Sequence, residues 1–409
     1  MKLHRTLVDA VVATIWQIFE EGQYADKAVE QVLKQNSRWG SRDRRFIAET
    51  VYEQVRWLRY FSEILCLKAP FSKGDYYRLT AVQLLLNAEE LPDWEEFKTP
   101  EGKPFDKAEI TLQAEKISRE RKFRESIPDW LDETGSKELG QSVWTHELTA
   151  LNQEAKVVLR VNTLKTTRIQ LQRLLAEQQV ETQVMQDYPH ALILQKRQQL
   201  HQLTEYKQGL FEIQDASSQL VAPFLEVQEG MNVIDACAGA GGKSLHIASC
   251  MKNKGSILSM DIEDRKLVEL KKRAERAGVS IIQTQLIQAN HIKKAEGTAD
   301  RLLLDVPCSG LGVLRRNPDT KWKLSPTFLQ SIKQTQQQLL QDYSRMLKPD
   351  GVMVYATCSI LPGENQEQVK LFLENNKTFE FVVDHKIMPS DGFDGFYMAK
   401  LKRKRSHKP

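Results

Sequence analysis

Long hydrophobic runs are missing from this chain. No apolar stretch approaches the ~20 residues that a bilayer-spanning helix needs, so no membrane span is expected. Cysteine is scarce and unpatterned: Cys66, Cys237, Cys250, Cys308 and Cys358 are five, widely scattered, with no C-x-x-C pair. That argues against a disulfide framework and a zinc site, and for reduced thiols in a cytoplasm. Charge of one sign is also lacking, since a net +4 over 409 residues does not by itself nominate a polyanionic partner. No internal repeat or long low-complexity segment is visible, and MKLHRTLVDAVV runs on into an amphipathic helix without a signal-peptide cleavage site. What remains, 41% hydrophobic and 27% charged residues, is the composition of a globular protein with room for two or three domains. No metal is expected, and nothing demands more than a monomer.

Through the first third, apolar residues recur at helical spacing. Val8, Val11, Val12, Ile15, Ile18 and Phe19 form one stripe, and a second helix is expected over 26–34. Ser41 reads as the N-cap of a long helix through DRRFIAETVYEQVRWLRYFSEIL, with Phe46, Ile47, Val51, Val55, Leu58 and Leu65 inward. Another helix follows near 77–88, and Pro92, Pro100, Gly102 and Pro104 mark an exposed loop over 91–107. These elements make an all-α domain over residues 1–140. Arg42, Arg44, Arg45, Arg56 and Arg59, interleaved with Trp57 and Tyr60, read either as ordinary surface charge or as an RNA-contacting face. A helix to about 152 then bridges to a small α+β unit, the two together spanning 141–215. Its strands lie in KVVLRVNTLKTT, VETQVM and ALILQ, with a helix over 168–179. Small sheets of this type often carry single-stranded RNA, although no RNP aromatic signature is present.

From Gly230 onward strands and helices alternate. NVIDA, GSILSMDI, IIQTQLI, ADRLLLDV and GVMVYATC are continuous apolar strands, separated by amphipathic helices over roughly 243–251, 264–277, 327–346 and 365–375. This predicts an α/β domain over 216–402, built on a mainly parallel sheet with both faces covered and its ligands at the carboxyl ends of the strands. The first strand runs into the turn of VIDACAGAGGKS. Walker A fails there because Cys237 stands five residues before Gly242, where a glycine is required, and Gly239, Gly241 and Gly242 do not match G-x-G-x-x-G. What survives is a first βα turn for a nucleoside-type cofactor. Asp261 closes the second strand 19 residues after Gly242, the distance at which an acid meets ribose hydroxyls. Asp305 and Cys308 close the fourth strand and Cys358 the fifth. One buried cysteine is ordinarily an inert small hydrophobe. Two at the ends of strands expected to be neighbours, both at the ligand edge, match thiolate attack on an electrophilic ring carbon. Arg315, Arg316, Lys321 and Trp322 follow on a loop and read as surface charge or as RNA contacts. Lys400, Lys402, Arg403, Lys404, Arg405 and Lys408 stand in KLKRKRSHKP without one acid; residues 403–409 read as a basic tail, either solvated or phosphate-contacting.

DACAGAGGKS, DVPCSGLGVLRRNPDTKW and YATCSILPGENQEQV resemble three hallmark motifs of the Nop/Sun RNA 5-methylcytosine methyltransferases. SIPDWL, RVNTLKTT and the helical N-terminus, similar to the RNA-binding NusB fold, extend the resemblance over nearly the whole chain and toward the RsmB-type branch, which modifies small-subunit rRNA. Two departures stand out. Gly239-Ala240 occupies the place of the family's usual Ala-Pro, and no acid ends the third strand, where Gln288 or Asn290 would substitute on the adenine side.

The resemblance implies a NusB-like all-α domain, a small α+β RNA-binding-type unit and a Rossmann-like methyltransferase domain dependent on S-adenosylmethionine, with RNA as partner. Cys358 would attack carbon 6 of a cytosine, and Cys308 would assist loss of the carbon 5 proton and release of the enzyme. Asp305 would hydrogen-bond the polar edge of the base, and Lys243 would orient Asp305 or favour the thiolate. Asp235, Cys237, Ala238, Gly239, Ala240, Gly241, Gly242 and Lys243 would line the methionine half of the cofactor near Asp305, with Asp261 on its ribose. The competing readings are the same reaction on transfer RNA, a non-catalytic RNA-binding assembly factor, and a nicotinamide-dependent oxidoreductase. The glycine spacing and the unexplained thiols disfavour the last.

Overall fold

The computed structural model describes residues 3–405. It divides into two units: one takes the chain as far as Gln153 together with Leu314–Pro326, the other takes Glu154–Val313 and the chain from Thr327 on.

The first unit is helical. Its longer helices are Arg5–Phe19, Ala25–Gln35, Ser41–Ile64, Lys73–Leu86, Lys107–Ile117, Asp129–Leu139 and Gln141–Leu151. The stripes Val8, Val11, Ile15 and Ile47, Val51, Val55 meet Leu79 and Val82 in one core, each full burial contributing roughly 1.5–3 kcal/mol. Three details differ from expectation. Gly40 rather than Ser41 is the N-cap of the long helix, its amide bonded to the Asp43 carboxylate at 3.1 Å. The 91–107 stretch is not a bare loop: Phe97 is buried in a 3-10 turn, and Trp94 packs on the same core. The bridging helix breaks at Gly140, where φ is +84°, and both halves belong to this unit.

The long helix is kinked at Trp57 (φ −110°, ψ 20°). A kink separates amides from carbonyls one turn away and leaves both needing partners. Here the amides of Arg59 and Tyr60 donate to Ser126 Oγ at 3.1 and 3.3 Å. The carbonyls of Val55 and Arg56 accept from Trp322 Nε1 at 2.6 Å and Lys321 Nζ at 2.8 Å. Most of the arginines weighed as an RNA face are likewise occupied within the unit. Arg44 donates to the carbonyls of Leu33, Asn36 and Trp39, buried Arg56 to those of Leu314 and Arg315, and Arg59 to Ile127 O and Asp129.

The second unit holds two sheets. Strands β1 (Val158–Val161), β2 (Thr182–Val184), β3 (Ala191–Leu194) and β4 (Phe211–Ile213) form an antiparallel sheet in the order β2-β3-β1-β4, with helix Arg168–Glu177 between β1 and β2. The larger sheet comprises β5 (Asn232–Asp235), β6 (Ser256–Asp261), β7 (Ile282–Leu286), β8 (Ala299–Asp305), β9 (Leu347–Thr357), β10 (Phe379–Ile387) and β11 (Phe396–Arg403). Its order is β10-β11-β9-β8-β5-β6-β7, with β5 to β9 mutually parallel and β10 and β11 antiparallel. Buried side chains from several strands put core on both faces, as parallel strands require.

The β10–β11 hairpin was not anticipated, and it corrects the reading of the basic C-terminal stretch. Lys400 and Arg403 are strand residues: buried Lys400 pairs with Glu226 at 2.6 Å, and Arg403 donates to Leu347 O. Arg405 meets Asp350, and Lys404 Nζ donates to Lys377 O. The stretch is therefore held to the sheet through Arg405. The rest of the expected tail, residues 406–409 with Lys408, lies outside the described residues.

Side chains join the small sheet to helix Asp264–Ala277, which follows β6 of the large one. Asn162 donates to Gly209 O and Ala277 O at 2.8 and 2.9 Å. Buried Glu212 on β4 accepts from Arg273 (2.9 Å) and Arg276 (2.5 Å), and Arg273 also donates to Ala240 O in the glycine turn. A carboxylate on β4 thus helps fix the loop that follows β5.

Candidate active site

The chemistry-bearing residues gather where β5, β6, β8 and β9 end. After β5 the chain turns through Cys237–Gly241 into helix Gly242–Cys250. Gly241 is obligatory on two counts: its φ is +84°, and a Cβ would lie 2.4 Å from Leu270 Cγ. Gly239 also has positive φ, but a Cβ there would meet nothing within 4 Å, so this part of the turn faces open space. Its amide donates to Asp261 Oδ2 at 2.8 Å, while Asp261 Oδ1 accepts from Glu263 N at 2.9 Å. A carboxylate offers about four acceptor positions, so Asp261 keeps lone pairs for a ligand.

Cys237, Gly239, Asp261, Ile262, Ile287 and Asp305 line one cleft of about 280 Å³, with Leu339 and Tyr343 closing it. Ile262 is 74% exposed, an apolar face beside the Asp261 carboxylate in the same cleft. Gln288 and Asn290 are both exposed at the start of helix Ala289–Lys294, and it is Ile287 that lines the cleft.

Asp235 lies beneath the turn, buried, with Oδ2 accepting from Ser244 Oγ at 2.6 Å and Oδ1 lacking a hydrogen-bond partner. Burial outweighs the Ser244 bond and pushes its pKa up to about 7. Burial also pushes the Cys237 thiol up. Ala238 is buried, and the Gly242 carbonyl accepts from Arg160. Lys243, in the first helical turn, reaches across to Asp305 at 2.5 Å and lies 5.2 Å from the Phe396 ring centre. Burial alone would depress this ammonium, but the Asp305 carboxylate, with smaller contributions from Cys358 and Asp235, holds its pKa raised.

Cys308 and Cys358 follow neighbouring strands β8 and β9, and their sulfurs are 3.2 Å apart as free thiols. The Cys308 thiol is pushed well up, first by its hydrogen bond to Cys358, then by burial and by the charges of Cys358 and Glu364. Glu364 had no role in the sequence reading. The only signal was an acid in PGEN, shortly after the second cysteine. It contacts Ser309 and Ser359, the residues that follow the two cysteines.

The expected RNA-contacting loop is corrected. Arg315 and Lys321 are buried, Arg315 Nε donates to Ala150 O at 2.6 Å, and Lys321 and Trp322 fill the helix kink. Arg316 is half-buried in the same segment. Polar atoms freed by the kink claim donors that a surface reading assigns to phosphates.

Comparison with known proteins follows the same boundaries in part. The family model for the 16S rRNA methyltransferase RsmB/F matches residues 222–402, and that for the RsmF/B-like ferredoxin-like domain matches 127–201. The chain is 34% identical over 313 residues to the probable ribosomal RNA small subunit methyltransferase B of Synechocystis sp., covering 71% of this chain and 70% of that protein. It is 33% identical to ribosomal RNA small subunit methyltransferase B of Pasteurella multocida, covering 68% of this chain and 65% of the relative. Against the latter, the match spans just under two thirds of the relative's length. Among solved structures, PH0851 is similar over 98% of this chain and 100% of that one (TM-score 0.82, 22% identity). NSun6 from Pyrococcus horikoshii with SFG is similar over 69% and 100% (TM-score 0.64, 20% identity). At these identities the two structures speak to fold, a Rossmann-like methyltransferase domain and, for the first, a helical N-terminal region.

Proposed function

Because the chain belongs to the RsmB/F family of 16S rRNA methyltransferases, we propose that it methylates carbon 5 of a cytosine in small-subunit rRNA, using S-adenosylmethionine and a covalent cysteine–cytosine adduct. The observation that carries this reading is the pair of free thiols 3.2 Å apart at the ends of β8 and β9, on the same sheet edge as the Lys243–Asp305 pair.

The residues at the cleft fit the cofactor. The turn is open at Gly239, Asp261 retains lone pairs for ribose hydroxyls, and Ile262 and Ile287 offer apolar faces for a base. S-adenosylmethionine, when bound, supplies an electrophilic methyl group. Every other task falls to the chain. Cys358 adds its sulfur to carbon 6 of the cytosine, which makes carbon 5 nucleophilic. Asp305, held by Lys243, hydrogen-bonds the polar edge of the ring. Cys308 begins as a thiol, kept protonated largely by its hydrogen bond to Cys358. Once Cys358 is bonded to carbon it carries no charge, so Cys308 is released from that constraint, gives its proton to solvent, and as a thiolate accepts the carbon 5 proton. Cys358 leaves as the 5,6 double bond re-forms. A paired target base must first leave its stack, at a cost of about a few kcal/mol. We read the helical unit as NusB-like and RNA-binding, with the small β1–β4 sheet as a second RNA surface, in a cytoplasmic enzyme.

The test is methyl transfer from labelled S-adenosylmethionine to unmodified small-subunit rRNA, with transfer RNA alongside and nucleoside analysis of the product. Labelled 5-methylcytidine in rRNA is expected. Label confined to transfer RNA would overturn the substrate assignment, and label on another base or position would overturn the reaction.

A further inference from the structure

Adjacent strands bring two loops near one another, but they do not by themselves hold two thiols in contact. The β8 loop passes through Pro307-Cys308-Ser309 and the β9 loop through Thr357-Cys358-Ser359; Gly312 N donates to Cys358 O at 2.9 Å and Ser309 Oγ to Ser359 Oγ at 3.3 Å, and the side chain that grips both loops is Glu364. This residue ends the 3-10 turn Pro362–Glu364 and is wholly buried. Its Oε1 accepts the hydroxyls of Ser309 and Ser359, each at 2.5 Å. Its Oε2 accepts the amide of Ser309 at 2.8 Å and Nε2 of Gln336 at 3.1 Å. The two serines are the residues directly after the two cysteines.

One carboxylate therefore binds both loops at once, with all four acceptor positions in use. Its own backbone is pinned as well, since Tyr355 Oη on β9 donates to Glu364 O at 2.7 Å. The next residue extends the grip on one side: Asn365 accepts from Thr357 Oγ1 at 2.5 Å and donates to Ser359 O at 2.9 Å, bracketing Cys358 before and after. A buried carboxylate is tolerated only when its hydrogen bonds are complete, so this arrangement resists displacement of either loop.

We infer that Glu364 is a positioning residue for the reaction, a clamp that sets the separation of Cys308 and Cys358 through Ser309 and Ser359. The inference rests on the two cysteines being the reacting groups, as proposed above. Glu364 touches neither sulfur in its hydrogen bonding; it acts through the serines and through its charge. That charge is among the causes that keep the Cys308 thiol protonated, which divides labour between two otherwise similar cysteines.

The test uses the full chain carrying Glu364→Gln, an isosteric change that removes the charge and one of the two acceptor atoms. Two readouts are needed: steady-state methylation, and the pH dependence of alkylation of each cysteine by iodoacetamide, resolved by mass spectrometry. The expected result is a kcat at least ~10-fold lower, an unchanged KM for S-adenosylmethionine, and alkylation of Cys308 beginning at lower pH than in the unaltered protein. Unaltered alkylation profiles for both cysteines would overturn the clamp, whatever happens to kcat, because a merely structural role leaves thiol reactivity alone. Should Glu364→Gln not fold, Ser359→Ala removes one of the four bonds. It is expected to lower kcat severalfold and shift Cys358 alkylation, and no shift there would likewise overturn the inference. Alkylation requires neither RNA nor methyl transfer, so a failure of the proposed reaction and a failure of the clamp give different results.

Discussion

Asp305–Val313 and Leu314–Pro326 are consecutive stretches of one motif, yet they have opposite fates. The first closes β8, presents Asp305 at the cleft and sets Cys308 against Cys358. The second leaves that unit and fills the kink of helix Ser41–Ile64, where Lys321 and Trp322 satisfy the carbonyls of Arg56 and Val55. Both carry polar groups and both read as functional. The difference is what their polar atoms meet: in the first a carboxylate keeps capacity at an open cleft and a thiol faces a second thiol, whereas in the second cationic and indole donors are consumed by orphaned backbone. Charge on a loop is informative about function only after the backbone's own requirements have been met.

The sharpest way to break this comparison is to alter one side chain in each stretch or its partner loop and read activity and stability separately. Cys358→Ala is expected to reduce methyl transfer by at least ~10³-fold while leaving S-adenosylmethionine affinity within ~2-fold by calorimetry. Retained transfer would remove Cys358 as nucleophile. Cys308→Ser should have the next largest effect, slowing turnover and leaving an RNA–protein adduct that survives denaturing electrophoresis; absence of any adduct would deny Cys308 its part in release.

In the second stretch the order reverses. Lys321→Met leaves Arg56 O without its donor and should lower stability by about 1–3 kcal/mol in urea titration, with methylation per folded molecule within ~2-fold of the parent. Burial holds the Lys321 pKa well down, so between that lowered value and the ~10.4 of a free lysine the unfolded chain binds more protons than the folded one. Stability should therefore rise with pH through that window, and Lys321→Met should flatten the rise. Smallest of all, Trp322→Phe keeps the ring and loses only the 2.6 Å bond to Val55 O, an expected cost of about 1 kcal/mol. A large loss of activity without loss of stability in either variant would return this segment to the RNA-contacting role first read into it.

The hairpin β10–β11 was hidden for a related reason. Most of β10 is exposed, so it shows no buried stripe, and β11 carries Lys400 and Arg403 in what reads as a solvated tail. Only the facing Glu226 and the Leu347 carbonyl explain cations there. Glu364 was hidden differently. A glutamate in a P-G-E-N turn is ordinary in sequence, and its importance lies in partners 55 and 5 positions away, Ser309 and Ser359.

What the chain determined by local pattern alone was the alternation of apolar strands and amphipathic helices, the glycine turn after β5, and the appearance of Asp261, Asp305, Cys308 and Cys358 at strand ends. These follow from periodicity and from the rule that a parallel sheet collects its loops at one edge, both of which are short-range or topological. What only the tertiary structure decided was which polar groups are spent inside. Lys321, Trp322, Arg315, Lys400 and Glu364 all meet partners brought close by folding. A buried hydrogen bond depends on where the distant partner lies, and no local spacing records that.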